Sequence, residues 1–214
     1  MLMSKLGTTL LVLLLTVISV SLQAAYSINS DSGTENEDSL YSIELDSGTA
    51  NRVASLSPAK MDVEGLAFAP DGTLYAIDDE TLTLFPLNPA TALVDTTQEA
   101  VLTGLSQAGQ NDFGMTFACD GTLYVTSIAE NALYRVNLNG QASRIGQLGA
   151  NISGIAAYGE PTVLYGLGNG LRTTNGENVE VDTPNLYQIN TATGAASFVG
   201  SLGSNIDLYT EGGL

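Results

Sequence analysis

The chain is predicted to be all-β and built from repeated antiparallel meanders. Three observations carry that expectation. The phrase Gly65-Leu66-Ala67-Phe68-Ala69-Pro70-Asp71-Gly72-Thr73-Leu74-Tyr75 returns at Gly114 to Tyr124, and in worn form from Gly154 to Tyr165. A second phrase interleaves with it as Leu40-Tyr41, Leu84-Phe85, Leu133-Tyr134 and Leu186-Tyr187, its aromatics 44, 49 and 53 residues apart. Helical periodicity is absent after the N-terminal segment. A fixed period of this size marks a repeat architecture, and about 40–50 residues suits a four-stranded propeller blade.

The elements follow in order. Residues 1–24 read as a signal peptide, with Lys5, an apolar run from Leu10 to Val20, and small residues at Ala24-Ala25. The apolar run is short and its flanks fit cleavage, so it is not read as a membrane span. Residues 25–214 form the propeller domain. Ala25-Tyr26-Ser27-Ile28-Asn29 resembles Leu74 to Asp78, so the domain opens on a second strand with no first strand before it. The Val63 repeat gives strands at Val63–Ala69, Thr73–Ile77, Thr81–Leu87 and Ala92–Leu102, divided by Pro70-Asp71-Gly72, Asp78-Asp79-Glu80 and Asn88-Pro89. The next repeat gives Phe113–Ala118, Thr122–Thr126, Ala132–Leu138 and Ala142–Leu148, with Asn139-Gly140 as a hairpin signal. Asp78-Asp79-Glu80 reads as a solvated hairpin tip, with an exposed cation site as the alternative, and Gly166-Leu167-Gly168-Asn169-Gly170 as a loop. A polar insertion over 168–184, with Arg172, Glu177, Glu180 and Asp182, is a candidate partner contact.

A four-stranded meander cannot bury both faces alone, whereas meanders set radially bury them against one another. The aromatics of the second phrase are therefore placed between blades, and the small residues of the first phrase on inner strands. About four blades result. Gly203 to Leu208 aligns with Gly149 to Gly154. Two arrangements stay open: this segment completes the N-terminal blade and closes a ring, or the chain is a fragment of a larger propeller.

The first phrase resembles the inner strands of bacterial NHL-like and gluconolactonase-like β-propellers, and Leu186 to Ala195 resembles a repeat of secreted bacterial propellers of largely unknown function. The resemblance covers nearly the whole domain. It specifies a fold and leaves activity open, since one fold hosts many functions.

Composition narrows the functional classes. The chain holds 6 Lys+Arg against 23 Asp+Glu, a formal charge of −17, and no His. Such a surface repels nucleic acid and anionic membranes and attracts cations. Without His, the common general base, the Ser-His-Asp triad and most zinc sites are gone. Cys119 is the one cysteine, so no intrachain disulfide forms; it reads as a small residue at a strand end.

Oxygen ligands remain. Asp62, Asn111, Asn151 and Asn205 form a polar column before the inner strands, with Glu64 and Asp112 close by. Asx side chains there either cap the entering loops or, gathered at one channel mouth, hold Ca²⁺ or another divalent cation. Only Glu64 matches the metal-binding Glu that the gluconolactonase resemblance implies. The leading expectation is an exported, extracytoplasmic binding or interaction module, non-catalytic and cation-stabilised, whose partner is an unknown protein or small molecule. The alternatives are a metal-dependent lactonase-type hydrolase and a structural surface or matrix component.

Overall fold

The computed structural model describes residues 24–29, 38–105, 111–169, 171–174, 177–180 and 184–203, with backbone alone for the two segments between 171 and 180. The signal peptide, Asn205 and the closing segment after 203 lie outside the described residues. Every regular element is a strand. In chain order they are β1 (Ala24–Asn29), β2 (Ser39–Glu44), β3 (Thr49–Ser55), β4 (Val63–Phe68), β5 (Leu74–Asp78), β6 (Thr83–Leu87), β7 (Ala100–Val101), β8 (Phe113–Phe117) and β9 (Leu123–Ser127). The rest are β10 (Ala132–Val136), β11 (Ala142–Gln147), β12 (Ile152–Tyr158), β13 (Val163–Gly168), β14 (Leu171–Thr174), β15 (Glu177–Glu180), β16 (Asn185–Ile189) and β17 (Ala196–Ser201).

They form four blades in a β-propeller arrangement. Blade 1 is the three-stranded sheet β1-β2-β3; blade 2 is β4-β5-β6-β7; blade 3 is β8-β9-β10-β11; blade 4 is β12-β13-β16-β17. All neighbouring strands within a blade are antiparallel. Blade 1 lacks a first strand among the described residues, as the Tyr26 alignment predicts. The insertion after β13 is a two-stranded hairpin, β14-β15, not an irregular loop.

Period-two alternation explains the core. Tyr75, Ile77 and Leu84 of blade 2 cluster with Phe113, Met115, Val125 and Tyr134 of blade 3. The opposite face of blade 2, with Leu74, Ala76, Phe85 and Leu87, meets Leu40 and Tyr26 of blade 1. Tyr124, Leu133 and Leu148 of blade 3 meet Ile152, Ile155, Leu164 and Ile189 of blade 4. The aromatics of the second phrase thus lie between blades, with Phe85 at 0% and Tyr134 at 1% exposure. Rings also cross the junctions, Tyr26 to Phe68 at 5.7 Å and Tyr75 to Phe117 at 5.6 Å.

Small residues let the inner strands approach. A Cβ on Gly114 would stand 2.8 Å from the Ser153 carbonyl, and one on Gly65 would stand 3.0 Å from Met115 Cβ. The same logic corrects the reading of 166–170. Gly166 and Gly168 belong to β13, because Ile152 and the Tyr187 ring fill the space a side chain would take, each 2.7 Å from the added Cβ.

One predicted strand is broken. Val94 bridges Leu87, but only Ala100–Val101 continues the pairing with β6. Asp95 accepts hydrogen bonds from Thr97 N–H at 3.0 Å, Thr97 Oγ1 at 2.6 Å and Gln98 Nε2 at 2.7 Å, and this local turn lifts 95–99 out of the sheet. Behind it, Lys60 is buried. Its ammonium meets Glu99 at 2.6 Å and Thr83 at 3.2 Å, and sits 4.6 Å from the Phe85 ring centroid. The Asp-Gly turns behave as predicted: Thr73 and Thr122 N–H donate to Asp71 and Asp120 at 2.9 Å, which holds both carboxyls below their ordinary range. Cys119, beside the second turn, is exposed.

Candidate functional site at the blade mouths

The segments entering the first strands and the turns leaving the second strands come together at one end of the blades. Asp79 N–H donates to the Asp62 carbonyl at 2.9 Å, Ile128 N–H to Asp112 at 3.1 Å, and Asn169 N–H to Asn151 at 3.3 Å. This ladder equates Asp62 with Asp112 and Asn151. Sequence alignment equates Asp62 with Asn111 instead, and the difference has a physical cause. Val63 pairs Asp78 and Gly65 pairs Ile77, so Glu64 is an extra, bulged residue in β4. Ser153 is the matching bulge in β12, whereas β8 runs without one. A bulge re-aims a side chain, so Glu64 owes its direction to backbone irregularity.

Each junction between blades is clasped here by an Asx residue. Asp38 of blade 1 accepts Val63 N–H of blade 2 at 2.7 Å. The Asp79 carboxyl of blade 2 accepts the backbone N–H of Asn111 in blade 3. Asn131 of blade 3 donates from Nδ2 to Asn151 Oδ1 of blade 4 at 3.1 Å, while its own Oδ1 accepts Gly149 N–H at 2.7 Å. Asn131 sits at φ 49°, a left-handed conformation that Asn tolerates well. Asn111 serves its own blade: its Oδ1 accepts Ser127 Oγ at 2.6 Å and Ala129 N–H at 3.2 Å, which occupies both lone pairs.

The acidic residues gather at the junction of blades 2 and 3. Asp78 and Asp79 are not a solvated tip; their exposures are 1% and 3%. Asp78 Oδ1 accepts Thr81 N–H at 3.0 Å, which folds the turn inward. Asp79 faces Asp62 within hydrogen-bonding reach, with Asp112 nearby. Loss of water around Asp79, the contact with Asp62 and the charge of Asp112 push its carboxyl up to about 8, against the partial relief of the Asn111 N–H. At neutral pH Asp79 therefore keeps its proton. Asp79 Oδ1 and Asp78 Oδ2 are buried without a hydrogen-bond donor, as is Ser153 Oγ.

Of the predicted ligands, the structure brings Asp62, Asn111 and Asp112 together around Asp79. Asn151 lies one junction further, Glu64 is half-buried on β4, and Asn205 is outside the described residues. Among the described residues no three Asp, Glu, Cys or His side chains form a cage for a metal ion. Asp38 was missed from sequence, and Asp78 and Asp79 were read as exposed rather than buried. The signal for the last two was their place in the repeat, where the sister blades carry Ser127-Ile128 and Gly168-Asn169. At the opposite end, equivalent grooves of about 430 and 290 Å³ indent blades 3 and 4, the first beside Asp120, Arg135 and Asn137, the second beside Gln188 and Asn190.

No protein-family model and no curated protein matches the chain. Solved structures do. A protein of unknown function from Bacteroides thetaiotaomicron superposes with a TM-score of 0.56 at 14% identity, over 82% of this chain and 44% of that one. An auxiliary nutrient binding protein from Bacteroides ovatus gives 0.54 at 12%, over 86% and 46%. A luciferin-regenerating enzyme gives 0.50 at 16%, over 77% and 55%. At these identities the likeness is one of fold, that of the β-propeller. The chain spans less than half the length of the first two. No helix among the described residues is long and apolar enough to cross a membrane.

Proposed function

We propose that this chain is a non-catalytic binding propeller acting outside the cytoplasm, and that its binding end is the acidic mouth at the junction of blades 2 and 3. The observation that supports this reading is Asp79, a carboxyl buried against Asp62 with one oxygen lacking a donor. A site that holds a proton because burial and a neighbouring carboxylate disfavour its charge also accepts a cation in that proton's place. Hard carboxylate oxygens suit Ca²⁺, with the facing pair Asp62 and Asp79 as the protein's donors and water completing the shell. The surface charge of −17 draws cations toward it. Export is supported by the character of residues 1–24.

The test is thermal unfolding at pH 8 with Ca²⁺ or with EDTA, at matched ionic strength. Ca²⁺ at about 100 times its dissociation constant should stabilise the fold by about 2.7 kcal/mol, and the gain should vanish in Asp79→Asn. Identical melts would remove the cation from the proposal. One observation favours a second reading, a lactonase-type hydrolase: Glu64 is carried on a bulge of an innermost strand, where bulges commonly re-aim functional side chains. That reading requires hydrolysis of a lactone panel that Glu64→Gln abolishes without loss of stability.

A further inference from the structure

Blade 4 carries, on the face turned away from blade 3, the residues with which the other blades cover their successors. Leu40, Leu84 and Leu133 occupy one position of the repeat and are at most 1% exposed; Leu186 at that position is half-buried. Tyr75 and Tyr124 are buried, while Tyr165 is half-buried. The outer strands repeat the pattern. Val53, Ile145 and Val199 are the bulged residues of β3, β11 and β17. Val53 and Ile145 pack into the clusters between blades, whereas Val199 is 52% exposed. Blade 1 shows the complementary face: Tyr41 matches the buried Phe85 and Tyr134 but is half-buried, as is Ile43 two residues on. Among the described residues, extensive packing joins blades 1 to 2, 2 to 3 and 3 to 4, but not 4 to 1.

We propose that a second copy of this chain covers both faces. Blade 4 of each copy packs on blade 1 of the other, and a two-fold axis along the channel relates two identical junctions that close one ring of eight blades. Two considerations select this occupant. Every face of this kind that is covered within the chain is covered by a blade of the same repeat, so the new junction continues an interface already present three times. The chain carries no charged residue over 183–206, which includes the whole β16–β17 hairpin. Two copies of a protein with charge −17 can therefore meet at blade 4 without stacking like charges. Rotation closes such a head-to-tail contact into a ring, whereas a contact that fails to close builds filaments.

Light scattering and sedimentation velocity of the purified chain over a concentration series test this. The expected mass is twice that of one purified chain. Val199→Lys should raise the dimer dissociation constant by at least about 100-fold, since it places an unpaired charge in the junction. Tyr41→Lys should do the same from the other side. Leu93→Lys, at an exposed site on blade 2, should leave the mass unchanged. Circular dichroism and the melting transition confirm that Val199→Lys, a surface change, remains folded. A single-chain mass at every concentration would overturn the proposal and mean that the faces are covered from within one chain. So would a dimer that both lysine variants leave intact, or a mass that climbs past two chains without a plateau.

Discussion

Blades 3 and 4 are written in the same phrases and buried to different degrees. Every residue of β9 is buried, while β13 alternates between buried and half-buried positions along its length. The buried residues of β13 face blade 3; the half-buried ones face away. Neither strand's burial is a property of its own residues. Burial is conferred by the neighbour, as in other repeat proteins, where stability is a sum of units and junctions. The junctions differ in chemistry as well. Blades 3 and 4 are clasped by two neutral amides, Asn131 and Asn151, and blades 2 and 3 by carboxyls.

The strongest way to break this comparison is to truncate matched leucines. Leu133→Ala should cost about 2–5 kcal/mol in urea unfolding, as a fully buried leucine does. Leu186→Ala should cost about 1 kcal/mol or less in dilute protein, with a penalty that grows with concentration if a second copy covers it. Equal costs in dilute solution would show that the two faces are equally covered.

Two glycines, one on the inner strand of blade 3 and one on the outer strand of blade 4, should give a smaller contrast. Gly114→Ala drives a methyl group toward the Ser153 carbonyl and Thr126, at a cost of about 1–3 kcal/mol. Gly200→Ala meets nothing within 4 Å and should be neutral or stabilise by up to about 1 kcal/mol. Chemical denaturation of both variants checks this, and a costly Gly200→Ala would mean that β17 has a covered edge.

The third contrast is in pH. The Asp79 carboxyl is raised from 3.8 to about 8 in the folded chain. The folded state therefore holds a proton that the unfolded state has released. Its stabilising contribution is complete below about pH 4 and is lost as pH rises toward 8, by up to about 1.4 kcal/mol per pH unit. Asp79→Asn keeps an acceptor for Asn111 N–H and a donor for Asp62, so it should flatten that slope and be the more stable protein at pH 8. Asn151→Ala should weaken the fold without altering the slope, because its clasp does not titrate. A slope unchanged in Asp79→Asn would place the titration elsewhere.

Much of the fold was legible in the chain. The two interleaved phrases set strand length, strand order and the radial arrangement. Tyr26-Ser27-Ile28 correctly marked an opening second strand. The failures are equally specific. Asp78-Asp79-Glu80 looked solvated because three consecutive acids ordinarily are, yet the adjoining blade covers the first two. Gly166 to Gly170 looked like a loop because glycine is common in loops. Here Gly166 and Gly168 make room for Ile152 and Tyr187, residues that come from other strands. The register of the polar column was shifted by one residue at Asn111, since a bulge in β4 leaves no mark in the sequence. The broken fourth strand of blade 2 followed from Asp95, whose local turn outcompeted the sheet.

The sequence by itself determined the all-β class, the repeat, the turns and the acidic surface, because each depends on local backbone preference, period or simple charge counting. Only the tertiary structure decided which carboxyls meet, which aromatics are covered and where Glu64 is aimed. Those depend on the registration of one blade against the next. Proton affinity at Asp79 depends on distances to Asp62 and Asp112, from segments 17 residues before it and 33 after it in the chain. Distances of that kind exist only once the blades have packed.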